Sequence, residues 1–97
     1  MTPITINDKF EWVVHATREA SWKLIQEIGC LKKMTRDYIH FAIKREHLRN
    51  QSFVQIYLHL RVEELLRDGY NLFKTTNSVI GSFEDIPLKY LCVGDRP

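Results

Sequence analysis

The chain has 97 residues, of which 44% are hydrophobic and 27% charged, and its formal net charge is +2. This length fits one small domain, because chains begin to split into several domains only near about 250 residues. The composition excludes collagen-like and disordered proteins, and no apolar run reaches the roughly 18 residues of a membrane span. The first ten residues also lack the regions of a signal peptide. We therefore expect a cytoplasmic single domain over residues 1–97, with a flexible end at 94–97.

The first predicted element is a long helix from about Asp8 to Ile28. Asn7-Asp8 offers an N-cap, and Gly29 supplies a left-handed stop. Between them the apolar residues follow helical spacing, and Leu24 and Ile28 belong to the stripe that should face the core.

A second, basic helix is predicted from Thr35 to near Asn50. The window 32–49 contains six basic and two acidic residues, so it has a net charge of +4, whereas the rest of the chain sums to −2. This asymmetry indicates a cationic surface, on which Tyr38 and Phe41 add rings that can stack on nucleic acid.

The segment from Ser52 to Asp68 fits two structures. The residues from Val54 to Val62 alternate between apolar and polar, which indicates a strand with one buried face. The same segment also has a helical stripe that continues to a stop at Gly69. Because no turn residue interrupts it, one continuous helix is the preferred interpretation. Farther on, 78–83 and 88–93 have the pattern of extended segments or a small hairpin.

The expected fold is therefore mainly α, a small helical domain with two to three helices and a short extended or hairpin C-terminal region. The alternative is an α+β fold with a strand at 53–62. The two cysteines, Cys30 and Cys92, lie far apart and lack metal-ligand spacing, so we expect them to be reduced, although a disulfide between them stays open.

No catalytic motif is present in the sequence. We find no nucleophile elbow, no phosphate-binding glycine loop and no HExxH, and the four histidines, including His15, are scattered. The sequence therefore predicts a protein that is not an enzyme and binds no cofactor or metal.

Large rings and cations are the candidate partner-binding residues, because aromatic side chains and arginine dominate the energetics of interfaces. The set consists of Arg36, His40, Lys44, Arg45, His47, Arg49, Trp12 and Trp22. The alternative is a purely structural role, in which both tryptophans pack at the edge of the core and the basic helix is an ordinary solvent-exposed surface. The Ile86-Pro87 bond could engage a prolyl isomerase.

Three features suggest a family resemblance: the length of 97 residues, the opening Met1-Thr2-Pro3-Ile4-Thr5-Ile6-Asn7, and the aromatic, basic middle. On these the chain resembles the small phage-encoded anti-RecBCD proteins of temperate enterobacterial phages. The resemblance implies a non-enzymatic modulator in the host cytoplasm that binds the RecBCD nuclease, through its RecC subunit, and alters DNA-end processing in favour of phage recombination. It assigns no functional residue.

The competing hypothesis is a small DNA-binding regulator of helix-turn-helix type. In that interpretation Trp22 to Ile28 is the first helix, Gly29 to Met34 the turn, and Thr35 to Lys44 the recognition helix. Direct binding to nucleic acid is thus a secondary hypothesis, and a host protein is the preferred partner.

Overall fold

The computed structural model describes residues 1–10, 12–44, 56–75 and 79–94, and within them the fold is an α+β arrangement of short strands with two α-helices. In chain order the elements are β1 (Thr2–Pro3), β2 (Val14–Thr17), α1 (Glu19–Ile28), β3 (Cys30–Leu31), β4 (Ile39–Phe41), β5 (Ile56–Leu60), α2 (Val62–Arg67), β6 (Phe73–Lys74), β7 (Ile80–Ser82), β8 (Ile86–Pro87), a short 3-10 helix (Leu88–Tyr90) and β9 (Leu91–Gly94).

The strands pair antiparallel in three sheets. A four-stranded sheet has the order β1-β6-β7-β4, a three-stranded sheet has the order β2-β5-β9, and β3 pairs with β8. The two larger sheets are joined where Val14 and Ala42 exchange backbone hydrogen bonds of 2.9 and 2.7 Å. This junction brings β2 and β4 side by side.

One hydrophobic core connects the sheets and helices. Phe41 and Ile80 on the four-stranded sheet, Leu58 on the three-stranded sheet and Leu65 on α2 are each 0% exposed. Burying side chains of this size gains roughly 1.5–3 kcal/mol each. The core therefore holds the two larger sheets in a fixed arrangement around their junction.

The prediction of a mainly α fold is wrong, and the first long helix shows why. Only its second half is helical, because α1 begins at Glu19 and β2 occupies Val14–Thr17. Asp8 caps no helix, since its carboxylate accepts a hydrogen bond of 2.7 Å from the backbone N–H of Thr5 in a local turn. The helix does end at Gly29, which has a φ of 91° as predicted.

The orientation predicted for that helix is also wrong. Leu24 and Ile28 were expected in the core but are 51% and 46% exposed, whereas Ile25 is buried. The apolar stripe predicted for this helix faces the wrong way because it includes Val14, which belongs to β2 and not to the helix.

The predicted basic helix over 35–50 is wrong in its described part. Ile39 and Phe41 are buried and His40 between them is exposed, which is the alternation of a strand with one buried face. Because β4 lies where the recognition helix Thr35 to Lys44 was expected, the helix-turn-helix arrangement is not formed. Residues 45–50 lie outside the described residues.

The continuous helix preferred over 53–68 is wrong as well. The structure has β5 at Ile56–Leu60 followed by α2 at Val62–Arg67, which agrees with the α+β alternative over 56–60 but ends its strand, predicted at 53–62, before Val62. Residues 53–55 lie outside the described residues. β5 is the middle strand of its sheet and bonds to β2 and β9 on its two edges. These long-range pairs decide between two patterns that both fit the local sequence.

The C-terminal region agrees only in part with the extended segments predicted at 78–83 and 88–93, because β7 and β9 are strands but Leu88–Tyr90 form a 3-10 helix, and the two strands form no hairpin with each other. β7 pairs with β4 and β6, and β9 pairs with β5. Gly94 is the last residue of β9, while 95–97 lie outside the described residues.

Cys30 and Cys92 are free thiols. No helix within the described ranges has the length and apolar character needed to span a bilayer.

Candidate active site at the junction of the two sheets

The candidate site lies where β2 and β4 separate beside their bridge. After the bonded pair of Val14 and Ala42, the next pair of an antiparallel ladder would join Ala16 to His40. The carbonyl of His40 instead lies 2.9 Å from Nδ1 of the His15 ring. A side chain thus occupies the place of a strand-to-strand bond, so the two strands part at this point.

This contact determines the protonation of His15. A carbonyl oxygen only accepts hydrogen bonds, so Nδ1 carries the hydrogen and donates it to His40. Burial lowers the pKa of His15 below its ordinary value of 6.5; the bond to the His40 carbonyl opposes this shift, and the positive charges of Arg36 and His40 add to it. His15 is therefore neutral at physiological pH, and its Nε2 has a lone pair that can accept a hydrogen bond.

Arg36 reaches this region from a turn that two other residues fix. The backbone N–H of Arg36 donates to the Lys33 carbonyl over 3.3 Å, and the Lys33 ammonium donates to the Arg36 carbonyl over 2.7 Å. The backbone N–H of Lys33 donates in turn to the Asp85 carboxylate over 2.9 Å. Asp85 thus ties the turn to the loop after β7, which fixes the backbone from which the Arg36 side chain extends.

Aromatic rings border the site on both sides. The ring of His15 meets Phe41 edge-on at 5.8 Å, and the ring of Tyr38 lies 4.4 Å from that of His40. Phe41 was predicted as a stacking residue, but it is 0% exposed and belongs to the core. Tyr38 is half-buried and stays accessible at the surface.

The structure brings together only some of the predicted partner-binding residues. His40 lies at the junction, Arg36 is near enough for its charge to act on His15, and Lys44 is exposed beyond β4. Trp22 packs against the core, which agrees with the purely structural role considered for the tryptophans. Arg45, His47 and Arg49 lie outside the described residues, so their role stays a prediction.

Trp12 belongs to a different feature, a groove of about 310 Å³ between the N-terminal segment and α2. Its lining includes Phe10, Trp12, His59 and Glu63.

Pro87 lies in β8, opposite Cys30, and its binding to a prolyl isomerase remains a prediction. In the part of the chain that the structure describes, no group of three His, Cys, Asp or Glu residues could hold a metal ion.

Sequence reasoning missed His15, which it treated as one of several scattered histidines. The sequence did contain one signal, the alternation of apolar and polar residues around each of two histidines. His15 stands between Val14 and Ala16, and His40 between Ile39 and Phe41, so both histidines have the pattern of strand residues. A sequence cannot show that these two strands are neighbours, because 24 residues separate the two histidines.

A comparison with protein families identifies the chain. The RNA 2'-phosphotransferase, Tpt1 / KptA family matches residues 1–82, which include His15, Arg36 and His40. The chain belongs to this family. No match was found among curated proteins.

Membership of this phosphotransferase family corrects three predictions. The resemblance to anti-RecBCD phage proteins is wrong, since the match lies with a different family. The prediction of a non-enzymatic modulator is wrong because the family is one of enzymes, and the alternative of a DNA-binding regulator is wrong for the same reason. The residues at the junction are therefore candidates for chemistry on RNA.

Proposed function

We propose that this phosphotransferase-family protein moves a 2′-phosphate from RNA to an acceptor molecule, with His15 and Arg36 at the reacting groups. The observation that carries the proposal is the state of His15, which is neutral, donates through Nδ1 to His40 and keeps a lone pair on Nε2. The family description supplies the reaction class. The junction supplies residues suited to a phosphate and to a hydroxyl.

His15 is suited to a hydroxyl. With Nδ1 committed to the His40 carbonyl, only Nε2 is left, and it accepts a hydrogen bond from a substrate hydroxyl or takes its proton. Burial lowers the pKa of the ring, so this acceptor is available throughout the neutral pH range. The fixed ring also avoids the cost of ordering a mobile base.

Arg36 is suited to the phosphate. A guanidinium presents its donors in a planar fork that binds two phosphate oxygens at once, and such charge-assisted bonds are stronger than neutral ones. The Lys33 turn and Asp85 hold the backbone of Arg36, so its side chain begins from a defined position. Lys33 and the exposed Lys32 add positive charge in the same turn.

The proposed reaction balances without water. The bond between phosphorus and the 2′ oxygen of the RNA ribose breaks, and phosphorus becomes bonded to a hydroxyl oxygen of the acceptor. That hydroxyl loses its proton, and the 2′ oxygen takes up one proton to become a hydroxyl. Arg36 neutralises the charge on the phosphate as the bonds change, and His15 positions a reacting hydroxyl.

The test uses an RNA oligonucleotide with one internal 2′-phosphate that carries a radioactive label. The protein is incubated with this RNA and a small-molecule fraction of a cell extract, which supplies the acceptor. We expect the label to move from intact RNA to a small organic molecule. Label that stays on the RNA, or that appears as inorganic phosphate, would contradict the proposal.

Two variants make the test specific to the site. Arg36→Gln should lower the transfer rate by about tenfold or more, because it removes the charged bonds to the phosphate. Arg67→Gln is the matched control, since Arg67 is an exposed arginine on α2 whose guanidinium pairs with Glu63 at 2.7 Å. An equal effect of the two substitutions would show that Arg36 has no special role.

A further inference from the structure

An aromatic patch, formed by Tyr38, Phe73 and Phe83, covers one face of the four-stranded sheet. His40 on β4, Gly81 on β7 and Phe73 on β6 lie opposite one another across the three strands. Tyr38 directly precedes β4 and Phe83 directly follows β7, and their ring contacts with Phe73 place both on this same side. Ile39, Phe41 and Ile80 occupy the other side and enter the core.

The rings of the patch are in direct contact. Phe83 stacks on Phe73 with their centroids 4.4 Å apart and their planes at 26°. Tyr38 meets Phe73 edge-on at 5.0 Å and Phe83 at 6.0 Å. Gly81 makes this packing possible, because a Cβ there would lie 2.6 Å from the Phe73 ring and 2.7 Å from the Tyr38 ring.

Exposure within the patch is uneven. Phe73 is 8% exposed, so the other rings already shield it, yet Phe83 is 54% exposed. One face of Phe83 rests on Phe73, and much of the remaining ring is in contact with solvent. An exposed ring that leans on a buried one can accept a further flat group by stacking.

Charges of both signs flank the patch, because Lys32, Lys33 and Arg36 precede Tyr38, whereas Asp37 lies next to Tyr38 and Glu84 and Asp85 follow Phe83. The ring of Tyr38 lies 4.4 Å from that of His40, so the patch adjoins the junction that contains His15. Arg36 precedes Tyr38 by two residues, and Lys32 and Lys33 belong to the same turn. Glu84 and Asp85 already accept the backbone N–H groups of Asn71 and Lys33, whereas Arg36 and Lys32 are exposed cations. A ligand whose flat rings stack on the patch can therefore place its phosphates toward these cations, which suits single-stranded RNA.

We propose that Tyr38 and Phe83 stack a base adjacent to the 2′-phosphorylated nucleotide of the RNA substrate. This inference rests on the proposed function, and it assigns the patch to binding the nucleotide next to the reacting one. Stacking recognises the π face that all bases share, so the patch tolerates any base at that position.

The experiment measures affinity by fluorescence anisotropy with three RNA hexamers. The first has one internal 2′-phosphate, the second has the same phosphate between abasic residues, and the third has bases but no 2′-phosphate. The wild type should bind the first hexamer about tenfold more tightly than the second, which is the typical worth of one stacked base.

Substitutions at Phe83 test whether the difference in affinity between the first and second hexamers comes from the aromatic patch. Phe83→Leu keeps an apolar cover over Phe73 but removes the ring, and it should reduce the preference for the first hexamer over the second to about twofold or less. Phe83→Trp should retain the preference. Leu24→Ala is the matched control, because Leu24 is a similarly exposed apolar residue on α1. Thermal melts identify any variant that fails to fold.

The outcomes separate the two proposals. Equal wild-type affinity for the first and third hexamers would overturn the proposed function and this inference with it. A clear phosphate dependence combined with equal affinity for the first and second hexamers would overturn the inference alone. The inference is also overturned if Phe83→Leu weakens both phosphorylated hexamers equally, since the patch would then support the fold or bind another partner.

Discussion

The His15 ring donates its Nδ1 hydrogen to the backbone carbonyl of His40 across 2.9 Å, at the point where β2 and β4 part. Two consequences follow from this single bond. It completes the hydrogen bonding of a carbonyl that a regular ladder would satisfy with a backbone N–H, and it leaves Nε2 of a neutral histidine as an acceptor. The fold and the chemistry of the site therefore depend on the same contact.

The lowered pKa of His15 predicts a specific loss of stability in acid. Burial, the largest cause, lowers the pKa of the folded ring below 6.5, so below about pH 6.5 the unfolded chain binds a proton that the folded chain does not. The free energy of unfolding should thus be highest above 6.5 and fall with pH until the folded ring also titrates. His15→Phe cannot titrate, and its unfolding free energy should decline less between about pH 7.5 and about pH 5. Parallel declines in denaturant titrations would contradict this assignment.

Asp85 is predicted to be a positioning residue for Arg36. Its carboxylate accepts the backbone N–H of Lys33 over 2.9 Å, so Asp85→Ala should loosen the turn and lower phosphate transfer by about tenfold, with a stability cost of about 1 kcal/mol. Asp85→Asn keeps an oxygen acceptor and should restore most of the rate. If the two variants lose the same activity, the charge of Asp85 matters rather than this bond.

Gly81→Ala should destabilise the four-stranded sheet. Its new Cβ would lie 2.6 Å from the Phe73 ring, so at least one aromatic ring must shift, at a cost of about 1–3 kcal/mol. Phe73→Leu shortens the side chain beneath and should relieve part of the clash. The double variant should therefore cost less than the two single changes together, which chemical unfolding of all four proteins measures. Strict additivity would show that the rings accommodate the methyl group without strain.

A second polar contact ties the C-terminal region to α2. The buried Tyr90 hydroxyl donates a hydrogen bond to the Asp68 carboxylate, which lowers the pKa of Asp68 below 3.8, and Lys89 lowers it further. A depressed carboxyl pKa gives stability that is present above 3.8 and is lost as pH falls through the folded value.

Tyr90→Phe should therefore raise the pKa of Asp68 toward 3.8 and lower the melting temperature at pH 7 more than in strong acid. Tyr70→Phe is the matched control, because the Tyr70 ring meets that of Tyr90 edge-on at 5.4 Å. NMR titration of the Asp68 carboxyl measures the shift directly. An unchanged Asp68 titration in Tyr90→Phe would assign the shift to Lys89 instead.

Local sequence signals predicted the C-terminal end of the first helix better than the type of the later elements. Gly29 ends α1 as its position indicated, because a left-handed residue has a purely local cause. The type of β5 was ambiguous, since alternation and helical spacing both fit the segment, and its pairing with β2 and β9 decided the outcome. That pairing joins residues far apart in the chain, which no short window contains.

Some residues of the candidate site were predictable from local sequence signals, whereas their arrangement was not. Arg36 and His40 were identified from the concentration of positive charge, and Tyr38 from its place among those cations. Their assignment to a helix was wrong, because Ile39 and Phe41 alternate with His40 as strand residues. His15 could not be added to them from the sequence, since only the bridge between Val14 and Ala42 brings its strand beside β4.

The most direct test of the account is the affinity of the wild type and Arg36→Gln for RNA with and without one internal 2′-phosphate, measured at several salt concentrations. This measurement requires no acceptor molecule. We predict that the phosphate strengthens wild-type binding by about tenfold or more and that Arg36→Gln removes most of this gain, while Arg67→Gln retains it. Equal wild-type affinity for the two RNAs would contradict the assignment of the junction to a 2′-phosphate.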